Sequence, residues 1–229
     1  MNFAAVILGV LLICALLFIA AIAILFLGLR RMWRRTRPDQ RFLRTLIIAL
    51  GLAAIALPYV AIKIGERRSV LARVPKPLEV AEIDYRLEES WGLGMPGDNE
   101  TGFVVYRLTD DSADWARKQG SQLGNMLEGA KGAWRETPVD DSSDQTAIGQ
   151  WHHYDRDSDM MAVERPKRHP ATIFEYLEKY GFTISIAQGR DHEANQSIQS
   201  TGSFYSYGKG GSVTIIDPGR GKVYFAYAG

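Results

Sequence analysis

The sequence predicts a two-helix transmembrane hairpin followed by an α+β extracytoplasmic domain with an antiparallel sheet and a C-terminal β-meander. Three observations lead to this fold class: two long apolar segments near the N-terminus, an arginine cluster between them, and a mixed helix and strand pattern in the acidic remainder of the chain. The predicted organisation is a two-span anchor over residues 1–64, a basic, proline-containing linker over 65–77, and an acidic domain over 78–229.

The first apolar segment, 3–29, is long enough to span a bilayer. No charged side chain occurs in residues 1–29. At about 1.5 Å of rise per residue, a helix of this length exceeds the roughly 30 Å hydrocarbon core. A cleaved signal peptide has a basic N-terminal region and a shorter apolar stretch, so the pattern favours a retained span.

The second apolar segment, 45–62, is uncharged over 18 positions, which is near the lower length limit for a span. The flanking side chains of Arg44 and Lys63 can extend it, because their apolar stems reach along the lipid while their charges stay in water. Pro58 removes one backbone donor and is expected to loosen the last turns. A buried helix of a soluble protein is the alternative for both segments, and their length argues against it.

The connecting loop, 30–44, sets the expected orientation. It contains seven arginines: Arg30, Arg31, Arg34, Arg35, Arg37, Arg41 and Arg44. Basic residues concentrate in short cytoplasmic loops, whereas the flank before the first span carries none. We therefore expect the loop in the cytoplasm and both termini outside it. The C-terminal domain would then be periplasmic if the host is a Gram-negative bacterium.

The charge is divided unevenly along the chain. Residues 1–77 hold 12 basic and two acidic side chains, a formal +10, whereas residues 78–229 hold 15 basic and 24 acidic side chains, a formal −9. An acidic domain lacks the basic surface that neutralises phosphates, so nucleic acid is not an expected partner. Anionic lipid head groups would also repel it. Pro75 and Pro77 favour an extended tether in the linker.

The first part of the acidic domain predicts two strands and a helix. Segments 78–87 and 101–108 are rich in β-branched and aromatic residues between turn signals, as strands are. Segment 110–131 predicts a helix with Asp110 or Asp111 as its N-cap. Its expected packing face consists of Ala113, Ala116, Gly120, Leu123, Leu127 and Ala130.

The second part predicts a helix and a series of strands. Segment 169–181 predicts a helix with Pro170 in its first turn and Gly181 as its C-terminal cap. The expected buried stripe consists of Ile173, Phe174, Leu177 and Tyr180. A strand is predicted over 182–188. The remaining chain alternates strands with turns such as DPGRG at 217–221, the pattern of an antiparallel meander.

Three segments carry residues that metals or phosphates use, but each departs from the required pattern. The segment 151–161 contains His152, His153, Asp155, Asp157 and Asp159. A calcium loop starting at Asp155 needs Gly at its sixth position and Glu at its twelfth, and the chain has Met160 and Pro166 there. A solvated acidic loop is the favoured interpretation.

The segment DHEANQ, 191–196, has His192 and Glu193 of a zinc-protease helix, but Gln196 stands where the second histidine must lie. The segment YGKGGS, 207–212, precedes a predicted strand, whereas a phosphate loop opens a helix. The single cysteine, Cys14, lies in the first span, so the domain has no thiolate ligand. The sequence therefore predicts neither a metal nor a cofactor.

The most distinctive loop is 88–103, between the first two predicted strands. Its side chains Trp91, Asp98, Asn99 and Glu100 combine an aromatic anchor with adjustable polar groups, a mixture that recurs at binding surfaces. The alternative is a long connection in which Trp91 caps the core and the glycines permit tight turns.

These features favour an accessory, assembly or interaction protein of a membrane or envelope complex. Its expected partners are the lipid bilayer and another integral membrane protein. The first alternative is an envelope-localised, hydrolase-like enzyme with His152, His153 or His192 as its base. The second is a ligand-binding or sensor module, which would need an apolar cavity with convergent polar groups.

Overall fold

The computed structural model describes residues 16, 20, 22–36, 40–91, 100–128, 134–139, 151, 170–208 and 210–229. The chain divides into two compact units, Met1–Val70 and Leu71–Gly229. The first unit contains the helical segment 22–35 and the helix α1 (Arg41–Leu71). The second unit is an α+β domain built on one antiparallel sheet, as the sequence predicts.

Helix α1 exposes its apolar side chains. Among the described residues it is the one helix long and apolar enough to cross a membrane, judged by length and composition. Only 6% of its most apolar 18-residue window is buried, and Leu52 and Ile55 are 64% and 69% exposed. The predicted second span, 45–62, lies inside α1. The predicted first span, 3–29, falls largely outside the described residues, so a two-span hairpin stays a prediction.

The linker differs from the expected extended tether, because α1 continues through it to Leu71. Residues 66–71 contain neither Gly nor Pro, and Lys63 and Glu66 form an ion pair of 2.8 Å one turn apart on the helix, which favours continuation. Pro58 lies inside the helix without ending it. The two linker prolines come after the helix end.

Segment 22–35 and α1 contact each other within the first unit. A Cβ atom added at Gly51 would lie 3.6 Å from Leu29 Cδ1. The Arg44 guanidinium lies 5.1 Å from the centre of the Trp33 ring and donates a hydrogen bond of 3.4 Å to the carbonyl oxygen of Thr36. One face of α1 therefore packs on the preceding segment, while the rest remains exposed.

The sheet of the second unit has six strands in the order β1-β2-β6-β5-β4-β3. Their bounds are β1 (Val80–Ser90), β2 (Glu100–Leu108), β3 (Arg135–Glu136), β4 (Phe204–Tyr207), β5 (Ser212–Asp217) and β6 (Lys222–Ala228). Strands β4, β5 and β6 are consecutive neighbours and form the predicted meander. The predicted strand over 182–188 is wrong: this stretch is not part of the ladder, and the Ala187 N–H donates to the Tyr85 hydroxyl at 3.0 Å.

Both faces of the sheet are covered by other elements. Side chains alternate between the two faces along each strand. One face carries Phe103, Ile215 and Tyr224, which form the main core. That core also contains residues of the helices α4 (Ile173–Glu178) and α5 (His192–Gln199). The opposite face meets α2 (Asp110–Gln119), α3 (Leu123–Met126) and the residues that follow α1.

The predicted helix 110–131 is interrupted. Helix α2 ends at Gln119, a single 3₁₀ turn covers Gly120–Gln122, and α3 ends at Met126. The φ of Gly120 is +51°, a left-handed value that breaks the α-helical path. The N-cap is Thr109, whose hydroxyl accepts the Ser112 N–H at 3.3 Å, and not Asp110 or Asp111.

Helix α4 is shorter than predicted and buries a different stripe. Thr172 and Glu175 form a capping box at its N-terminus, so Pro170 lies before the helix. The buried side chains are Ile173, Tyr176 and Leu177, whereas Phe174 and Tyr180 are 43% and 39% exposed. Gly181 closes the following turn as expected, since its φ is +82° and its N–H donates to the Glu178 carbonyl at 2.8 Å.

Candidate functional site

Two of the four predicted binding residues lie at one end of the β1–β2 hairpin. Trp91 directly follows β1, and Glu100 begins β2 opposite Ser90. Trp91 is 43% exposed. Asp98 and Asn99 lie outside the described residues.

Trp91 stacks on Phe182, a residue that the sequence did not single out. The ring centroids lie 5.1 Å apart and the ring planes meet at 29°. The backbone holds Phe182 in place, because it follows the Gly181 turn and the Thr183 hydroxyl donates to the Glu178 carboxylate at 3.3 Å. An exposed tryptophan is thereby fixed in one orientation, which lowers the entropic cost of a contact made through it.

Three glutamates lie near this stacked pair along the chain or across the hairpin. Glu89 precedes Trp91 by two residues, Glu100 lies across the hairpin, and Glu178 lies beside Thr183. Because Glu100 is paired with Ser90, its side chain lies on the sheet face opposite that of Glu89. The stacked pair is therefore an exposed apolar surface, and the three carboxylates do not form one border around it.

Lys179 belongs to a buried cluster on the other side of α4. Its ammonium donates to the Gly211 carbonyl at 3.2 Å and lies 3.9 Å from the centre of the Tyr176 ring. The Tyr176 hydroxyl and the Ala228 N–H donate to the same carbonyl, at 2.8 and 3.3 Å. Three donors on one carbonyl tie α4 and β6 to the β4–β5 loop.

Burial lowers the pKa of Lys179 from 10.5 to about 8 and raises the pKa of Tyr176 well above 10. An amine with this pKa is partly neutral in mildly alkaline solution and has the chemistry of a nucleophile or a base. Its contacts include, however, the Tyr176 and Tyr180 rings and a backbone carbonyl that also holds the loop together. The geometry therefore assigns Lys179 a structural role.

A second cluster fastens the start of the domain to the sheet. Glu88 binds both Arg73 and Arg86, and it accepts the Tyr227 hydroxyl at 2.9 Å. Burial alone would raise the pKa of Glu88, but its hydrogen bonds with the two arginines outweigh burial and hold the pKa below its usual value. The Arg73 guanidinium also lies 5.1 Å from the Phe225 and Tyr227 rings. This cluster therefore has a structural role.

The proposed histidine base in the described part of the chain lacks a partner suited to catalysis. His192 Nε2 lies 2.9 Å from Gln196 Nε2 on the exposed side of α5. The Ser197 hydroxyl is fully buried on the same helix and donates to Asp217 at 2.6 Å. His192 and Ser197 thus take part in different hydrogen bonds. His152, His153, Asp155, Asp157 and Asp159 lie outside the described residues.

A cleft of about 380 Å³ lies between α2 and the β5–β6 turn, with Arg117 and Glu136 in its lining. Arg117 is already bonded to Asp114 and to the Pro218 carbonyl, the latter at 3.4 Å. Within the described ranges, no three His, Cys, Asp or Glu side chains are grouped to hold a metal ion. The cleft is therefore a weaker candidate than the surface around Trp91.

Comparison of the chain with protein-family models, with curated proteins and with solved structures found no match.

Proposed function

We propose that the protein is a membrane-anchored interaction protein, an accessory or assembly factor of a membrane or envelope complex. The observation that carries the proposal is α1, a 31-residue helix with a nearly unburied apolar window, joined in one chain to a folded α+β unit. Such a helix is long enough to cross a bilayer, and the folded unit is then held at the membrane surface.

The proposed anchor is a two-span hairpin of segments 3–29 and 45–62. Contacts between segment 22–35 and α1, such as Gly51 with Leu29, support this arrangement. The arginine-rich loop 30–44 is proposed to lie in the cytoplasm, with both termini outside it. The α+β unit then works outside the cytoplasm, in the periplasm if the host is a Gram-negative bacterium.

The proposed binding surface is the hairpin end that carries Trp91 and Glu100. Rigid, exposed aromatic side chains dominate the energetics of many protein interfaces. The acidic domain disfavours nucleic acid, so another integral membrane protein or membrane complex is the proposed partner. The described residues hold no catalytic constellation around His192 that would favour the enzyme alternative.

Co-purification in mild detergent tests this function. We expect membrane proteins recovered with the wild type to be lost with Trp91→Ala and retained with Phe174→Ala, because both side chains are 43% exposed and only Trp91 lies on the proposed surface. Replacing residues 1–64 by an unrelated two-span anchor of the same orientation separates the contributions of anchor and domain. Recovery that neither change reduces would refute the proposal.

A further inference from the structure

We propose that the first unit binds one anionic phospholipid, with an acyl chain in an apolar groove between segment 22–35 and α1 and the head group on Arg31 and Arg35. This inference rests on the proposed function, because it requires both helical segments to lie in a bilayer. Three observations carry it: the groove and its lining, the position of the two arginines at its end, and the charge of the connecting loop.

The groove runs along the first unit and has a volume of about 450 Å³. Among the described residues its lining is entirely apolar and includes Leu25, Gly28 and Met32 of segment 22–35 with Leu50, Ala53 and Leu57 of α1. Leu25 and Met32 are seven positions apart, so the groove extends for about 10 Å along the helix. A Cβ atom built at Gly28 would meet no other atom within 4 Å. The groove therefore has open space for part of an acyl chain.

Arg31 and Arg35 continue the groove side of segment 22–35 toward the loop. Side chains three, four and seven positions apart share one face of a helix. Arg35 follows Gly28 by seven positions and Met32 by three, and Arg31 follows Gly28 by three. Both arginines are exposed. An occupant of the groove therefore has arginine beside it at the loop end.

The charge of the loop selects a negatively charged head group. Residues 30–44 contain seven arginines and one acidic residue, Asp39. Guanidinium groups bind phosphate through two parallel hydrogen bonds, and basic residues next to a span attract the anionic lipids of the cytoplasmic leaflet. The proposed orientation puts the loop at that leaflet. A phospholipid with a net negative charge matches both the apolar groove and its basic end.

Other occupants match only one part of this site. A second copy in the same membrane would bring its own arginine-rich loop beside the first, and like charges disfavour association. A transmembrane helix of a partner would contact the apolar groove without needing Arg31 or Arg35. A free phosphate ion would bind the arginines without using the groove. Variants in each part of the site therefore separate a lipid from these occupants.

The test counts the lipids bound to the full chain by native mass spectrometry of the detergent-solubilised protein. Phosphatidylglycerol and phosphatidylcholine with identical acyl chains are titrated separately, and glycerol 3-phosphate is the probe for a head group without a chain. We expect the first phosphatidylglycerol to bind about tenfold more tightly than the first phosphatidylcholine. The preference should fall as the concentration of ammonium acetate increases, and an equal concentration of glycerol 3-phosphate should not displace the lipid.

Two double variants with the same change in charge make the test local. Arg31→Gln with Arg35→Gln should abolish the preference for phosphatidylglycerol, because it removes the charges beside the groove. Arg30→Gln with Arg34→Gln removes two exposed arginines from the opposite side of the helix. This control should change the preference by less than about threefold.

Gly28→Leu tests the groove itself. The new side chain enters open space and favours the helix over glycine, so the anchor is expected to stay folded. It should weaken binding of the first phosphatidylglycerol about fivefold or more by filling the groove. Gly65→Leu, where an added Cβ also meets no atom within 4 Å, lies outside the groove and should leave binding unchanged. Circular dichroism checks that both variants keep their helix content.

The inference is overturned if the two lipids bind equally, if both arginine pairs weaken binding equally, or if Gly28→Leu has no effect. It is also overturned if glycerol 3-phosphate alone displaces the lipid, or if a dimer of the chain forms in place of the lipid complex. The proposed function fails separately. A protein that recovers a membrane partner but does not distinguish the lipids removes only this inference, whereas selective lipid binding without any recovered partner removes the proposed interaction function.

Discussion

The two units of the chain use apolar side chains in opposite ways. In the first unit, α1 exposes long apolar side chains such as Leu52 and Ile55. In the second unit, side chains such as Phe103 and Tyr224 are completely buried between sheet and helices. Burial of apolar area stabilises a fold in water, so the second unit supplies its own apolar environment, whereas the proposed anchor takes its apolar environment from a bilayer. Trp91, Phe174 and Met126 are the exceptions with the most exposed apolar side chains among the described residues of the second unit.

The largest expected effect is on α1 and tests whether its environment is lipid. Replacing both Leu52 and Ile55 by arginine puts two charges near the middle of the proposed span. Each arginine raises the free energy of membrane insertion by roughly 2.5–3.5 kcal/mol. We expect the protein to be released from membranes by alkaline carbonate extraction, whereas Phe42→Arg, at the arginine-rich end, should leave it membrane-bound. A double variant that stays with the membrane fraction like the wild type would contradict the proposed span.

Gly102 in β2 should show the next largest effect, because it lies in the packed unit. A Cβ atom there would lie 2.6 Å from Tyr227 Cζ, so the Tyr227 ring, whose hydroxyl donates to Glu88, must move. We expect Gly102→Ala to destabilise the domain by about 1–3 kcal/mol, measured by thermal unfolding of the full-length protein in detergent. Gly65→Ala, where nothing lies within 4 Å, is the matched control.

A smaller effect on stability, which depends on pH, is expected at Lys179. Its pKa is about 8 in the folded protein, against 10.5 for an exposed lysine, so folding releases a proton between these values. Stability should therefore rise as the pH increases from about 8 toward 10. Lys179→Met should remove this rise, because methionine has no proton to release on folding.

Unfolding midpoints of the wild type, Lys179→Met and the exposed Lys118→Met between pH 7 and 9.5 test this expectation. The range stops there because burial raises the pKa of Tyr106 to about 12. Ionisation of such tyrosines in the unfolded chain lowers stability above about pH 10. A wild-type slope that Lys179→Met leaves intact would show that another group titrates in this window.

Local patterns predicted much of the second unit, and long-range contacts account for the errors. The strands of the meander and the turn at 217–221 follow from alternation and turn residues, which act over a few positions. The predicted buried stripe of α4 was right at Ile173 and Leu177 and wrong at Phe174, because packing against the sheet buries Tyr176 instead. The strand predicted over 182–188 was wrong because the Ala187 N–H donates to the Tyr85 hydroxyl and not to the backbone of a neighbouring strand.

The candidate site was predictable only in part for the same reason. Trp91 and Glu100 were found from the composition of one loop, without any knowledge of their surroundings. Phe182, which stacks on Trp91, comes from a segment after α4, far along the sequence. The contact of Lys179 with Gly211 joins elements 32 residues apart, and no periodicity within α4 indicates it.

The smallest effect is expected at Gly51, the counterpart of Gly102 in the first unit. An added Cβ would lie 3.6 Å from Leu29 Cδ1, an ordinary van der Waals distance, so no side chain has to move. Alanine also favours a helix over glycine by up to about 1 kcal/mol. Gly51→Ala should therefore leave membrane retention and partner recovery unchanged. The bulkier Gly51→Leu should force α1 away from segment 22–35, and it should reduce partner recovery if the anchor takes part in binding. If Gly51→Ala destabilises the protein as much as Gly102→Ala does, then segment 22–35 and α1 pack as tightly as the sheet packs in the domain. The two units would then differ only in the solvent that surrounds them.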